Sequence, residues 1–521
     1  MSRSKISSPY LGRAAHESPL SKAPAFPLLA GLSISLMLLD ARYPFWAVII
    51  ISLSAPAGWC LLGTSRPNRS SGPVIAALLI VGSLGVFYIA SEMESAQKPE
   101  FADMPSILAG PVTSRGTVLI SRKLNHGGTV LVSTPLGKCV LKFWGDPGIS
   151  YRSENKGQKG EAFKPADGGL LSAGDYVAFS GFPEPLQRAK KPGGFDEFLY
   201  WKARGAGFIL SSAEVQKIGV SIGFARWRTL IDARAAATLP PRTAGYLLAA
   251  LTGSRDESLT SLHRSVGTSH LLAVSGAHVG IAFGIFWFFL RRFRLRLFLV
   301  SPFIWAYVFL SGAAPSALRA ALMIQLVIMG RVAGRAGTGK AFNTVSAAGA
   351  VMLLCNPWLF WDVGWRLSMI AVLTLSSLTA LKISPGGVFF LASPLVWLTT
   401  TLQSSLVFGS SPVVGIAANI FALPAFSVLF PLAFVCSIPA LAGFPLGSAT
   451  AAVPEFLFLR WERLSQNLLA LCPWEISFTA PLLFAGMAAM TYLCAAASGF
   501  GAWRSFAAPA ILCAGLCFLI P

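Results

Sequence analysis

Charge is what this sequence has least of. Only 12% of its 521 residues are Asp, Glu, Lys or Arg, against 54% hydrophobic ones, whereas a soluble globular chain carries about 25% charged residues. With a mean hydropathy of +0.62, there is too little polar surface to cover a water-facing fold of this length, so the chain is read as an integral membrane protein. Acids are scarcer than bases, 22 against 42. Histidine is nearly missing: the five residues, at 16, 126, 263, 270 and 278, form no His-x-His-x-Asp-His cluster, and a pair of hydrolytic metals needs such a ligand set. Of eight cysteines, only Cys139 falls in the polar part of the chain, which excludes a disulfide there. No metal or other cofactor is expected.

The net charge of +20 is unevenly placed. Residues 1–90 hold seven basic and two acidic residues, residues 91–225 sixteen and thirteen, and residues 226–521 nineteen and seven, seventeen of those nineteen being Arg. The middle is ordinary in charge and both flanks are apolar. The fold class that follows is an α-helical polytopic membrane protein with an inserted, extracytoplasmic small β-barrel. Its expected parts are a cytoplasmic tail (1–24), three transmembrane helices (25–90), a β-rich domain (91–221), amphipathic interfacial helices (222–255) and a polytopic core (256–521).

Apolar windows run from Phe26 to Leu39, Pro44 to Leu62 and Pro73 to Ala90, near the roughly 17 to 25 residues that cross a bilayer. Basic residues mark cytoplasmic loops. The tail, with Arg3, Lys5, Arg13 and Lys22, and the cluster from Arg291 to Arg296 are therefore assigned to the cytoplasm, and the β-rich domain to the far side of the inner membrane. Alternation continues through Arg296 to Leu310, Ala317 to Met329, Phe342 to Leu354, Leu367 to Leu381 and Val388 to Leu406. Beyond Ser410, Pro412, Pro424, Pro431 and Pro439 break the pattern.

Between Pro111 and Ser212 apolar and polar residues alternate between Gly-rich turns, as in Gly116-Thr-Val-Leu-Ile-Ser and Lys138-Cys-Val-Leu-Lys-Phe. Five or six short strands suit a small barrel, of which the OB-like fold is one form. Such barrels often bind single strands on aromatic residues, but Phe143, Trp144, Tyr176 and Phe179 at strand positions suit a core equally, and the domain's net charge is only +3 (16 − 13).

Four polar or Gly-rich insertions interrupt the core on what the alternation makes its outer side: Ser269-His-Leu-Leu-Ala-Val-Ser-Gly-Ala-His278, Ser311-Gly-Ala-Ala-Pro-Ser-Ala-Leu-Arg319, Asn356-Pro-Trp-Leu-Phe-Trp-Asp-Val-Gly-Trp-Arg366, and Gly409-Ser-Ser-Pro412 with Asn419. Irregular backbone at membrane depth is tolerated where protein buries it or water fills a cavity. Ionisable groups there cost roughly 2.5 to 3.5 kcal/mol on insertion scales, so they face partners or a pathway. The residues expected to line a pore are His270, Ser275, His278, Arg319, Asp362, Arg366 and Asn419. Asp362 and Arg366, four apart, are also spaced to pair with each other on a helix; Arg319 has no acid within a turn.

These segments resemble the ComEC family of competence proteins. The resemblance rests on Ala250-Leu-Thr-Gly-Ser-Arg-Asp-Glu followed by Ser269 to Gly280, then in order on Pro315-Ser-Ala-Leu-Arg-Ala320, Asn356-Pro through Trp365-Arg-Leu-Ser368, and Gly409 to Asn419 with Pro424. It covers about residues 225 to 440. Where the family string has Gly-Phe-Gln-Leu-Ser, this chain has Gly364-Trp-Arg-Leu-Ser. The resemblance implies an inner-membrane channel that passes single-stranded DNA into the cytoplasm during natural transformation, with an OB-like domain where the β-rich segment lies. It implies partners too: single-stranded DNA, membrane lipid, a DNA receptor and a separate nuclease. Many members continue into a metallo-β-lactamase-like domain; this sequence is expected to be a short member without it, and not an enzyme.

Two other readings stay open. Buried arginines and broken helices also suit a transporter of a small anion or a lipid-linked substrate. An intramembrane hydrolase would use Ser269, His270, Ser275 and His278, with Asp256 as orienter. A pore within one chain and a pore shared by a homodimer are both compatible with the sequence.

Overall fold

The structure, a computed structural model, describes residues 25–40, 81–91, 111–144, 171–189 and 196–497, apart from residues 83, 125–126, 136, 190–195, 294–295, 333–340, 382, 445–446 and 478–479. The expected tail (1–24), the window from Pro44 to Leu62 and half of that from Pro73 to Ala90 lie outside these residues.

Five strands form the polar domain: β1 (Val112–Leu124), β2 (Gly127–Thr134), β3 (Gly137–Trp144), β4 (Asp175–Glu184) and β5 (Ala206–Val220). The order is β1-β2-β3-β5-β4, and β4 pairs back onto β1 from Thr117↔Tyr176 to Val112↔Gly181, so the sheet closes on itself. The β3–β5 ladder is parallel and the others are antiparallel. Closure needs strongly bent strands, and irregularities in register fall between Val118 and Ile120 on β1 and between Ser180 and Phe182 on β4. At Gly116 a Cβ would stand 2.5 Å from the Ser133 carbonyl oxygen, so the bend of β1 requires glycine. Val118, Val130, Val132, Cys139, Leu141, Val177 and Leu210 are fully buried inside, with Phe143 and Phe179; Tyr176 points outward. Burial pushes the Cys139 thiol up to about 12, which keeps it protonated and inert.

Apart from a two-stranded sheet of Ser410–Pro412 with Glu475–Ser477, the other elements among the described residues are helices: α1 (Ala25–Asp40), α2 (Glu197–Lys202), α3 (Phe224–Thr238), α4 (Pro241–Leu251), α5 (Glu257–Val266), α6 (Gly276–Phe289), α7 (Arg296–Leu310), α8 (Pro315–Val332), α9 (Ala341–Cys355), α10 (Val363–Ala380), α11 (Pro385–Phe408), α12 (Val414–Ala442), α13 (Gly447–Leu471) and α14 (Ala480–Ala497). Among the described residues, four segments are long and apolar enough to cross a membrane: Ser269–Arg292, Pro315–Val332, Val363–Ala380 and Val414–Ala442. Shorter apolar helices accompany them, Phe298–Leu310 and Ala341–Cys355 among these. The protein is a membrane protein.

The sequence pattern and the structure part company beyond Ser410. The prolines do not divide that region; Pro424, Pro431 and Pro439 all lie inside α12, which runs unbroken for 29 residues. Each proline removes one N–H, and in a packed membrane helix neighbouring groups make good such losses. Here α12 lies along α13, where Thr450 donates to the Cys436 carbonyl at 2.8 Å. The two stretches from Phe224 to Leu251 also differ from each other. α4 is sunk in protein, with Thr243, Ala244, Tyr246, Leu247, Ala249 and Ala250 buried, whereas α3 buries only Ala235.

Acids placed late in the chain organise α4. Glu455 accepts from the backbone N–H of Arg242 (3.2 Å) and Thr243 (2.7 Å) and from the Thr243 hydroxyl (3.0 Å), and so caps the helix N-terminus from α13. Glu462, one side of α13 further on, pairs with Arg242 at 3.3 Å. Glu455→Ala strips that cap, and should destabilise the protein by about 0.5–2 kcal/mol, read as a lowered midpoint of thermal unfolding in detergent; Glu455→Gln should lose less.

Candidate functional site

The segment from Ser269 to His278 is not one helix. Ser269–Leu271 is a single 3-10 turn, and α6 starts only after Ser275, which caps it. His278 closes the cap: its Nδ1 accepts the Ser275 backbone N–H at 3.1 Å, with the Ser275 hydroxyl at 3.4 Å. Its ring meets Phe430 of α12 edge-on at 4.5 Å. His278 is thus held as a helix cap. Ser269 and His270 are exposed.

Arg319 stands on the first turns of α8 and is only 4% exposed. Its Nη1 donates to the Ser368 carbonyl of α10, and a Cβ on Gly276 would stand 3.7 Å from its Nη2. Nearby the Ser316 hydroxyl donates to the Val274 carbonyl. Three of the four irregular segments therefore meet at one guanidinium. Among the described residues no carboxylate lies in ion-pair reach of Arg319, and its Nε has no partner.

Asp362 and Arg366 do not pair with each other. Asp362 caps α10 by accepting the Trp365 N–H at 2.9 Å, and its ion pair, at 3.4 Å, is with Arg204 of the β-domain. Arg204 also stacks on Tyr200 at 3.6 Å. With Asn356 donating to the Ala203 carbonyl (3.0 Å) and Phe198 edge-on to Trp358 (5.2 Å), this fixes the β-domain to the third irregular segment. Arg366 reaches only the Trp361 carbonyl, at 3.4 Å; its Nε and the buried Trp365 Nε1 are unpartnered. The fourth segment touches the start of the first: Asn419 Nδ2 donates to the Gly267 carbonyl at 3.4 Å. A Cβ on Gly267, whose φ is +77°, would meet Pro412 at 3.0 Å and Gly415 at 3.1 Å.

The family model described as Competence protein matches residues 247–503, which takes in all four segments. ComE operon protein 3 of Bacillus subtilis (strain 168) is 28% identical over 332 residues, 60% of this chain and 40% of that protein. Together these matches support a ComEC-family competence protein. It spans about 40% of the length of this curated relative. No solved structure matches it. The unpartnered buried polar atoms of the four segments are three donors, Arg319 Nε, Trp365 Nε1 and Arg366 Nε, with the Ser411 hydroxyl and the acceptor Asn419 Oδ1 in the fourth. Among the described residues no group of three His, Cys, Asp or Glu could hold a metal. A Ser-His-Asp relay is not assembled either: Asp256, its expected orienter, caps α5 by accepting from Leu259 N (2.9 Å) and Ser258 (2.5 Å), which hold its carboxyl below the usual range.

Sequence reasoning missed the partners of His263. Its Nε2 lies 2.8 Å from the Tyr246 hydroxyl and its Nδ1 2.7 Å from that of Thr268, all three buried. Burial, then Glu462, push the Tyr246 hydroxyl up, so it stays protonated; a neutral imidazole donates through one ring nitrogen and accepts through the other, so His263 donates to one of the two hydroxyls and accepts from the other. The only available signal was helical spacing, with Tyr246 and His263 on separate helices and no pattern to join them.

Two outcomes follow from these geometries. Burial, and then His270, press His263 from 6.5 down to about 4, so the unfolded chain takes up this proton first and stability falls as pH drops from about 6.5 towards 4. His263→Gln should flatten that part of a pH series of thermal midpoints. Asp362→Ala should lower the midpoint through loss of a helix cap, by about 0.5–2 kcal/mol, and Asp362→Asn, which can still cap, by less.

Proposed function

We propose that this chain acts in DNA uptake by passing single-stranded DNA across the cytoplasmic membrane. The observation that carries the reading is Arg319, a buried guanidinium at the junction of three family motifs, with a free N–H and no acid beside it among the described residues. A nucleic-acid strand brings one negative charge per phosphate, and a membrane path for it needs fixed donors that exclude lipid. Arg319, Arg366, His270, Ser275, His278, Asp362 and Asn419 are the groups we assign to the path or its walls. Asp362, tied to Arg204, and His278, a cap, would shape it; Arg319 and the exposed His270 would meet the strand.

On this reading the N-terminus is cytoplasmic and the five-stranded domain is OB-like and extracytoplasmic, set over the entrance. A receptor would deliver the DNA and a separate nuclease would supply the single strand. A small anion could use the same arginine, so the cargo is what must be measured. In a deletion strain carrying the Arg319→Ala variant, labelled DNA reaching the cytoplasm should fall by about tenfold or more, the worth of one good charged contact at about 1.4 kcal/mol or above, with the protein still in the membrane. Arg319→Lys should restore part of it, since Lys keeps the charge but not the planar fork. Normal uptake in the deletion strain itself would end the reading.

A further inference from the structure

The polarity of α3 is inverted. Three of its polar side chains turn inward, Arg234 near its C-terminal end being exposed: Arg228 donates to the Leu119 carbonyl of β1 at 2.8 Å, Thr229 to the Ala173 carbonyl at 2.7 Å, and Asp232 accepts from Thr252 and Ser254 at 2.6 Å each. Its outward face is apolar, with Phe224, Trp227 and Leu230 exposed, Trp227 by 60%. A helix at a water boundary would be arranged the other way round.

The strand that leads into α3 changes in the same sense. Along β5 the exposed residues are first Glu214, Gln216 and Lys217, then Ile218 and Val220, and Ile222 beyond the strand end is fully exposed. The apolar patch so formed runs on without a break into the bundle, because Phe224 stacks at 5.8 Å on Phe309 of α7, whose exposed Phe303 and Phe298 follow.

α3 also lies across the ends of helices. Arg228 reaches the turn after α7, where a Cβ on Gly312 would stand 2.5 Å from its Nη1, and Arg234 donates to the Leu441 carbonyl at the end of α12 (3.1 Å). These two arginines are six residues apart, about 9 Å along a helix axis. A helix that bridges the C-terminal ends of two apolar helices and shows apolar residues outward suits the headgroup boundary, where aromatic residues such as tryptophan concentrate.

We infer that the end of β5 and the outer face of α3 form a foot that docks the β-domain into the lipid headgroup layer, with Ile222 and Trp227 reaching the acyl chains. The occupant of this surface is phospholipid, and the inference holds whatever the cargo of the bundle. The full chain, carrying benzoylphenylalanine in place of Trp227, Ile222 or Glu214, is reconstituted in vesicles of phosphatidylcholine and phosphatidylglycerol and irradiated. Mass spectrometry should find phospholipid adducts at positions 222 and 227 and none at 214. Adducts to a second copy of the chain, or positions 222 and 227 as free of lipid as 214, would overturn the foot. All three side chains are exposed, so the replacements meet no packing that could stop the chain from folding.

Discussion

A guanidinium withdrawn from water loses several kcal/mol of hydration, and only carbonyl oxygens, carboxylates or an anion can replace it. That constraint governs the centre of this protein. Arg319 is given one carbonyl, that of Ser368, and no carboxylate among the described residues. To supply even that, α8 must lie against α10, with the start of α6 close by at Gly276. The other buried charges are handled by direct pairing: Arg242 with Glu462, Asp362 with Arg204, Lys217 with Asp175. Arg319 stands apart from these pairs together with Arg366, whose Nε is likewise unpartnered among the described residues.

Much of the architecture was legible because lipid demands long apolar runs and strands demand alternation. The windows from Phe26 to Leu39 and from Phe342 to Leu354 match α1 and α9 to within a residue or so, and the alternating segments that begin at Gly116 and Lys138 fall on β1 and β3. Proline misled the reading past Ser410, since a rule drawn from helices in water overstates its cost where neighbouring helices make up the lost bonds. The i,i+4 spacing of Asp362 and Arg366 misled it too. Pairing on one helix was sterically open, but an arginine 158 positions earlier in the chain, Arg204, took the carboxylate, and nothing local announces a partner at that distance. Glu455, Glu462 and Tyr246 were overlooked for the same reason.

The four irregular segments were readable as sequence and not as an assembly. Their composition marked them as breaks, yet that Val274, Gly276, Arg319 and Ser368 converge depends on helix packing, while Asn419 and Gly415 approach Gly267 on the other flank. Glycine at 267 is where this convergence becomes visible as a constraint on residue type.

The stack of Tyr200, Arg204 and Asp362 joins the β-domain to the first turn of α10, and Ser368, whose carbonyl holds Arg319, sits less than two turns further along the same helix. So short a stretch of helix behaves as a stiff rod. A load on the barrel, a pull or a twist from whatever it holds, therefore reaches the buried guanidinium as a displacement of its acceptor. Because hydrogen bonds weaken steeply with distance and angle, even a small movement would loosen that grip, which makes the barrel a lever as well as a lid.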